Sequence, residues 1–200
     1  TVIYVPGSGS ITSRNSQNLT ANRIGFLMRS GYALIWPVYK GTYERGYSEF
    51  PNYVENASKI YADQMIMMVK DYSRAIDYVE QQENLLNDVY YYGISWGGML
   101  GPLFLANENR IKKAVWQVAG LGARETRPEG SPLTFLSRIN VPVLMLNGIY
   151  DQYFPFETSQ KPMYDLLSLN EPLKKMITYE SAHSPPANQT SKEILKWFKQ

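Results

Sequence analysis

Six short apolar runs, separated by stretches of helical spacing, constrain this chain more than any other feature. The runs are TVIYV (1–5), YALIW (32–36), DVYYYGI (88–94), IKKAVWQVAG (111–120), VPVLMLNG (141–148) and KKMITYE (174–180). Runs this short and this continuously apolar suit strands buried on both faces. Between them lie helical patterns. Residues 17–30 carry Leu19, Ile24, Leu27 and Met28 and stop at Gly31. Residues 58–82 form a long amphipathic pattern with Ile60, Ile66, Val69, Ser73, Ile76 and Val79 as inner candidates. Shorter helices are expected to about Asn107 after the third run, around Leu133–Arg138, over 155–168 and over 189–199. The alternation predicts an α/β chain with a doubly wound, mostly parallel sheet flanked by helices. No internal repeat interrupts it, so residues 1–200 read as one domain. A Tyr-, Gly- and Asn-rich excursion without a clear period, at about 38–57, would hang from the second strand as a cap.

Composition removes several function classes. With 44% hydrophobic and 19% charged residues, the chain has the make-up of a folded domain with one sizeable core. A formal charge of +2 and no Lys/Arg-dense stretch give no field for nucleic acid. No apolar run approaches the length of a membrane span. Cysteine is absent, which excludes a thiolate nucleophile and a Cys-built zinc site, and His183 is the single histidine. No metal and no cofactor are therefore expected. The chain opens on Thr1 inside a strand-like run with no leader pattern. We expect a processed chain or a fragment, with cytoplasmic residence favoured; the oligomeric state is not readable.

The segment Gly93-Ile94-Ser95-Trp96-Gly97 lies where a strand ends and a helix begins. Glycine weakens both elements, so its placement on either side of a serine needs a backbone reason. A sharp strand-to-helix turn supplies one: large side chains at the flanking positions would collide with neighbouring backbone. Such a turn is a nucleophile elbow, which lifts the serine hydroxyl above the sheet edge at a helix N-terminus. The partners should follow in the order acid, then histidine. Asp151 lies just past the fifth strand, and His183 lies three residues past the sixth. His183 would take the Ser95 proton, and Asp151 would hold the imidazole in the correct tautomer. An oxyanion site would use the Trp96 backbone N–H and one from the first loop PGSGS, Ser8 before Gly9. That loop lacks the Gly-Lys-Ser/Thr of a phosphate cradle.

These residues resemble the α/β-hydrolase superfamily, in its dienelactone-hydrolase-like and prolyl-oligopeptidase-like branch. The resemblance runs through PGSGS, PVYKGTYERG, YYGISWGG, VPVLMLNGIYDQYFPFETSQKPMYDLL and YESAHSPP, and so covers nearly the whole chain. It is also similar to hydrolase modules attached to bacterial protein-kinase-type proteins. The resemblance implies serine-nucleophile hydrolysis of carboxylic esters, sometimes of peptides, with Ser95, Asp151 and His183 in the catalytic positions. Three departures stand out. The fold normally has two further strands before the first one here. The dienelactone enzymes use cysteine where this chain has Ser95, so dienelactone itself is not expected as substrate. Pro6 stands where many relatives carry histidine.

The excursion offers Tyr39, Tyr43, Tyr47, Phe50 and Tyr53 above the same sheet edge as Ser95. Loops at the C-terminal ends of parallel strands bind ligands. Tyr43, Tyr47 and Tyr153 are therefore expected to contact substrate, beside Trp96; packing of the excursion onto the body is the competing role. Arg45, Arg124 and Arg127 are read as surface residues before carboxylate binders. The expected activity is hydrolysis of a small to medium ester through an acyl-enzyme. Two alternatives stand beside it: a prolyl-oligopeptidase-type peptidase, and a non-catalytic regulatory module of a larger bacterial protein.

Overall fold

A computed structural model describes residues 1–17, 19–46 and 56–200. In chain order it contains β1 (Val2–Val5), α1 (Gly9–Thr12), α2 (Gly25–Arg29), β2 (Leu34–Ile35), α3 (Lys59–Glu80), β3 (Val89–Ile94) and α4 (Trp96–Leu105). Then come β4 (Ile111–Gln117), α5 (Pro132–Phe135), β5 (Val143–Gly148), α6 (Lys161–Asp165), β6 (Lys174–Tyr179) and α7 (Ala187–Lys199). The six strands form one sheet in the order β2-β1-β3-β4-β5-β6, and every pairing is parallel.

Strand periodicity splits the core into two layers. Ile3, Val5, Tyr91, Ala114, Trp116, Val143 and Met145 face one side, against Met65, Met68, Tyr72 and Ile76 of α3 and Leu100 and Phe104 of α4. Their sequence neighbours Val2, Tyr4, Tyr92, Val115, Leu144 and Leu146 face the other, against Leu27 of α2 and Ile194, Trp197 and Phe198 of α7. Side chains that alternate between faces, both of them covered, explain why the strand sequences look apolar throughout.

The long helix starts where expected, with Ser58 as its cap: its hydroxyl accepts from the Tyr61 N–H at 3.1 Å. Its inner face agrees with the expected one at Ile76 and Val79 and departs from it at Ile60 and Ile66. Ile60 and Ile66 are exposed, while Tyr61, Met65, Met68, Tyr72, Ile76 and Val79 are buried. The i, i+4, i+7 stripe begins with tyrosine and methionine and continues with Ile76 and Val79. Two other expectations need correction. The helix predicted over 17–30 is only the short α2, preceded by turns. The segment after Pro155 begins as one π-helical turn, Phe156–Gln160, before α6.

The topology fixes where a site can form. From β1 the chain moves to β2 on one side, and from β3 onward it moves to the other. The loops that follow β1 and β3 therefore diverge and leave a crevice at the C-terminal sheet edge. Among the described residues no helix is long and apolar enough to cross a membrane.

Candidate active site

Ser95 sits between β3 and α4 with φ 55° and ψ −114°, a conformation that non-glycine residues rarely hold. The surrounding structure over-determines it. The Ser95 N–H donates to the Gln117 carbonyl at 2.9 Å, and its own carbonyl accepts from Met99 at 2.8 Å. Gly97 lies hard against β1: a Cβ there would stand 2.1 Å from the Val5 carbonyl oxygen and 2.9 Å from that of Pro6. The elbow geometry read from the sequence is thus present, and glycine is required at 97 by backbone and not by side-chain crowding.

Two loops bring the other members in. Asp151 follows β5 and is buried, with Oδ1 accepting the N–H groups of Tyr153 (2.9 Å) and Phe154 (3.1 Å). Buried Gln160 ties this loop down, its Nε2 donating to the carbonyls of Gly148 (2.8 Å) and Phe154 (2.7 Å). The loop after β6 crosses directly over the end of β5. A Cβ at Gly148 would lie 2.0 Å from the Ala182 carbonyl oxygen, and the Tyr150 N–H donates to Ser181 O at 3.0 Å. That crossing delivers His183 to Asp151.

The three side chains form one continuous chain. His183 Nδ1 is 2.6 Å from Asp151 Oδ2, and His183 Nε2 is 2.8 Å from Ser95 Oγ. With the proton on Nδ1, the imidazole donates to the carboxylate and accepts from the serine hydroxyl. The Asp151 carboxylate has no exposed surface and the His183 side chain is 21% exposed. Tyr153 and Phe154 pack on the imidazole, with ring centroids at 4.9 and 5.9 Å.

A cavity of about 650 Å³ opens on Ser95 and His183 and is lined by the Pro6–Ser10 loop, Tyr4, Trp36, Tyr43, Val118 and Tyr153, among others. Its size falls in the range of small-molecule sites. Trp96, which opens α4, carries one of the helix N–H groups without an intrahelical acceptor. Among the described residues the Ser8 N–H has no hydrogen-bond acceptor, and Ser8 lines the cavity; Gly7 beside it lies against the Ser95 side chain.

The expected pocket aromatics divide. Tyr43 and Tyr153 line the cavity. Tyr47, Phe50 and Tyr53 lie outside the described residues. Tyr39 is no cap residue: it is fully buried, donates from Oη to the Tyr4 carbonyl at 3.0 Å and packs on Phe104. Arg45 pairs with Asp71 at 2.8 Å, and Arg127 donates to the Ala57 carbonyl.

Sequence reasoning missed Val118, Arg23, Tyr4 and Trp36 as lining residues. Val118 is the least expected, since its φ of 46° is one that sequence reasoning assigns to glycine. Val118 is buried and donates its N–H to Leu146 O at 2.8 Å. The next residue, Ala119, is clamped by buried Asn147, which accepts its N–H at 2.8 Å and donates to its carbonyl at 3.0 Å. All three non-glycine residues of positive φ among those described, Tyr43, Ser95 and Val118, line this one cavity. Backbone strain concentrates at functional sites.

Comparison with known proteins agrees with this fold. No protein-family model matches the chain. An Escherichia coli O157:H7 protein provisionally described as a carboxymethylenebutenolidase is 28% identical over 121 residues, 54% of this chain and 44% of that protein. The match thus spans less than half the length of that curated relative. Among solved structures, a protein of Klebsiella pneumoniae provisionally described as a dienelactone hydrolase superposes with a TM-score of 0.76 at 20% identity, over 100% of this chain and 86% of that one. The Pyrococcus horikoshii acylaminoacyl peptidase gives 0.74 at 15% identity, over 99% of this chain and 36% of that one. Est1E of Butyrivibrio proteoclasticus, solved with ferulic acid bound, gives 0.70 at 14% identity, over 98% and 87%. The chain has the α/β-hydrolase fold, and its structural neighbours are dienelactone-hydrolase-like and acylaminoacyl-peptidase-like members of that fold.

Proposed function

We propose that this chain is a serine hydrolase of the dienelactone-hydrolase and esterase type, acting on small to medium carboxylic esters. The observation that carries the reading is the unbroken Ser95–His183–Asp151 chain, at 2.8 and 2.6 Å, on a strained elbow facing a cavity. In this reading His183 takes the Ser95 proton as Oγ attacks the ester carbonyl. Asp151, whose other oxygen is already held by two backbone N–H groups, fixes the imidazole tautomer and stabilises its cation. The developing oxyanion is met by the N–H of Trp96 and that of Ser8, with α4 presenting its positive end. The C–O bond then breaks, His183 returns the proton to the leaving oxygen, and water repeats the sequence on the acyl-enzyme. Tyr43 and Tyr153 contact the substrate from the cavity wall.

The acylaminoacyl peptidase among the structural neighbours gives a peptidase reading its support, and 36% coverage of that chain weakens it. A screen of p-nitrophenyl esters of rising acyl length against peptide nitroanilides, with Ser95→Ala as control, decides between the two. The proposal expects ester turnover that Ser95→Ala removes. Turnover confined to the nitroanilides, or ester turnover that survives the substitution, would refute it.

A further inference from the structure

The cavity that holds Ser95 carries polar atoms that the triad chemistry does not use. Tyr4, Trp36 and Tyr43 line it together with Ser95. Tyr4 belongs to β1, and Trp36 and Tyr43 follow β2, whereas His183 follows β6; β1 and β2 lie on one side of β3 in the sheet and β6 on the other. The Tyr4 and Trp36 rings meet at a steep angle with centroids 4.7 Å apart. Tyr4 is 7% and Tyr43 is 4% exposed, and among the described residues neither hydroxyl has a hydrogen-bond partner of good geometry. The Trp36 indole N–H is buried and likewise lacks an acceptor of good geometry there. It stands close enough to the Tyr43 phenol to oppose the upward push that burial gives that group. Burial pushes the Tyr4 phenol up as well, and the neighbouring Tyr43 phenol adds to the push. The three polar atoms therefore share one corner of the cavity.

Tyr43 is held in that corner against local preference. Its φ is 47°, and the loop around it closes on itself: the Gly41 N–H donates to the Arg45 carbonyl at 2.9 Å, the Arg45 N–H to the Thr42 carbonyl at 2.9 Å, and the Thr42 hydroxyl to the Tyr39 carbonyl at 2.8 Å. The Arg45 guanidinium ties the loop to the Val38 carbonyl at 2.8 Å. Strain kept in place by this many bonds, beside nearly buried hydroxyls that find no protein partner, points to a ligand.

We infer that the Tyr4–Trp36–Tyr43 corner is an acyl-side subsite for an uncharged oxygen, so that the substrates are esters of oxygen-bearing acids rather than of plain alkanoic acids. The inference rests on the serine-hydrolase reading and names its substrate class. The leaving oxygen must meet His183, which returns its proton. The part of the substrate that extends the other way, toward β1 and β2, is then the acyl part. Indole N–H only donates; approaching Tyr43 Oη, it occupies a lone pair and leaves the phenol proton for the cavity. Among the described residues Arg23 is the one formally charged side chain in the lining, and it is exposed to solvent. The corner itself offers neutral donors to a neutral acceptor such as an ether, hydroxyl or carbonyl oxygen.

The test replaces one methylene of the acyl chain by an ether oxygen. The p-nitrophenyl esters of 3-methoxypropanoate, 4-methoxybutanoate and 5-methoxypentanoate are each compared with the all-carbon ester of equal length, pentanoate, hexanoate and heptanoate. The quantity read is the ratio of kcat/KM for ether to alkyl ester, divided by the same ratio for alkaline hydrolysis, which removes inductive effects. In the wild-type protein this ratio should exceed one and peak at one chain length. In Tyr43→Phe, and in Tyr4→Phe, the peak should fall about three- to tenfold, carried by KM, as expected for losing one hydrogen bond while the ring stays packed. A wild-type ratio at or below one for every length, in a protein that hydrolyses the alkyl esters, overturns the subsite and leaves the hydrolase reading intact; this comparison needs no variant. A peak that survives both substitutions also overturns it. If the gain appears instead with 2-methoxyethyl butyrate over butyl butyrate, where the ether lies in the leaving group, the acyl-side assignment is overturned. If the wild-type protein hydrolyses no ester and takes no fluorophosphonate label, the hydrolase reading fails and the subsite with it.

Discussion

Replacing Gly97 with alanine adds one methyl group where the elbow lies hard against the backbone of β1. The new Cβ would stand 2.1 Å from the Val5 carbonyl oxygen, 2.7 Å from the Val5 carbonyl carbon and 2.9 Å from the Pro6 carbonyl oxygen. All three atoms are backbone, so no rotamer change relieves the overlap. Reaching ordinary contact requires α4 and the end of β1 to separate by more than about 1 Å, and β1 is an interior strand, paired with β2 and β3. Overpacking in a well-filled core costs about 1–3 kcal/mol, and a contact this short belongs at the upper end. For a chain of this size about 3 kcal/mol corresponds to a fall of roughly 6–12 °C in Tm. The same displacement moves the Pro6–Gly9 loop relative to Ser95, and a misplacement of about 1 Å costs on the order of 100-fold in rate. Thermal unfolding followed by circular dichroism, with p-nitrophenyl butyrate hydrolysis measured well below the transition, reads both effects. Gly9→Ala is the stability control, because a Cβ there meets nothing within 4 Å. Wild-type Tm and rate in Gly97→Ala would refute the steric argument for the elbow.

Other perturbations separate the parts of the account. Asp151→Asn keeps the shape but holds the imidazole in the wrong tautomer; ester turnover should fall about 10⁴-fold with little change in Tm, and turnover within tenfold of wild type would remove Asp151 from the mechanism. Asn147→Leu strands the N–H and carbonyl of Ala119 in the core and should destabilise the protein by about 2–6 kcal/mol in urea unfolding, at about 1–3 kcal/mol for each orphaned group. Arg110 joins Glu108, Asp77 and Glu80, at 2.7–2.9 Å, between the start of β4 and α3. Burial pushes the Glu108 carboxyl up, but hydrogen bonds and charge from Arg110 outweigh it and hold the group below its ordinary value. A depressed carboxylate contributes stability above its unfolded-state value of about 4.5, and that contribution is lost as pH falls through the lower folded-state value. Arg110→Gln should therefore lower Tm at pH 7 and flatten its decline below about pH 4.5; an unchanged acid limb would contradict this.

The parts of the molecule legible in sequence are those set by periodicity and by chain order. Six apolar runs became six strands because parallel strands buried on both faces need no polar alternation. Ser95, Asp151 and His183 could be named from their places after the third, fifth and sixth strands, and the fold brings them within hydrogen-bond distance. What stayed hidden depends on contacts between distant segments. The first half of α3 was misjudged because Ile60 and Ile66 outrank tyrosine in hydrophobicity, whereas Tyr61, Met65 and Tyr72 take the inner positions there; Ile76 and Val79 were read correctly. Tyr39 looked like a cap residue until its hydroxyl found the Tyr4 carbonyl inside the core. Val118 gave no signal, since a β-branched residue at positive φ runs against local preference; its N–H is taken by Leu146 and the following Ala119 is clamped by Asn147, 28 positions further on. The clamp made by Gln160 on the acid loop is equally invisible, because it depends on a π-helical turn that no local pattern specifies.

The most direct test of the central claim is the covalent state of Ser95 after exposure to a fluorophosphonate. Intact-mass and peptide mass spectrometry would locate the adduct. The account predicts one phosphonylated residue, Ser95, in a reaction abolished by Ser95→Ala and strongly slowed by His183→Ala, since the hydroxyl 2.8 Å from the imidazole is the one activated. An unmodified protein under conditions that label other serine hydrolases, or an adduct on any other residue, would contradict it.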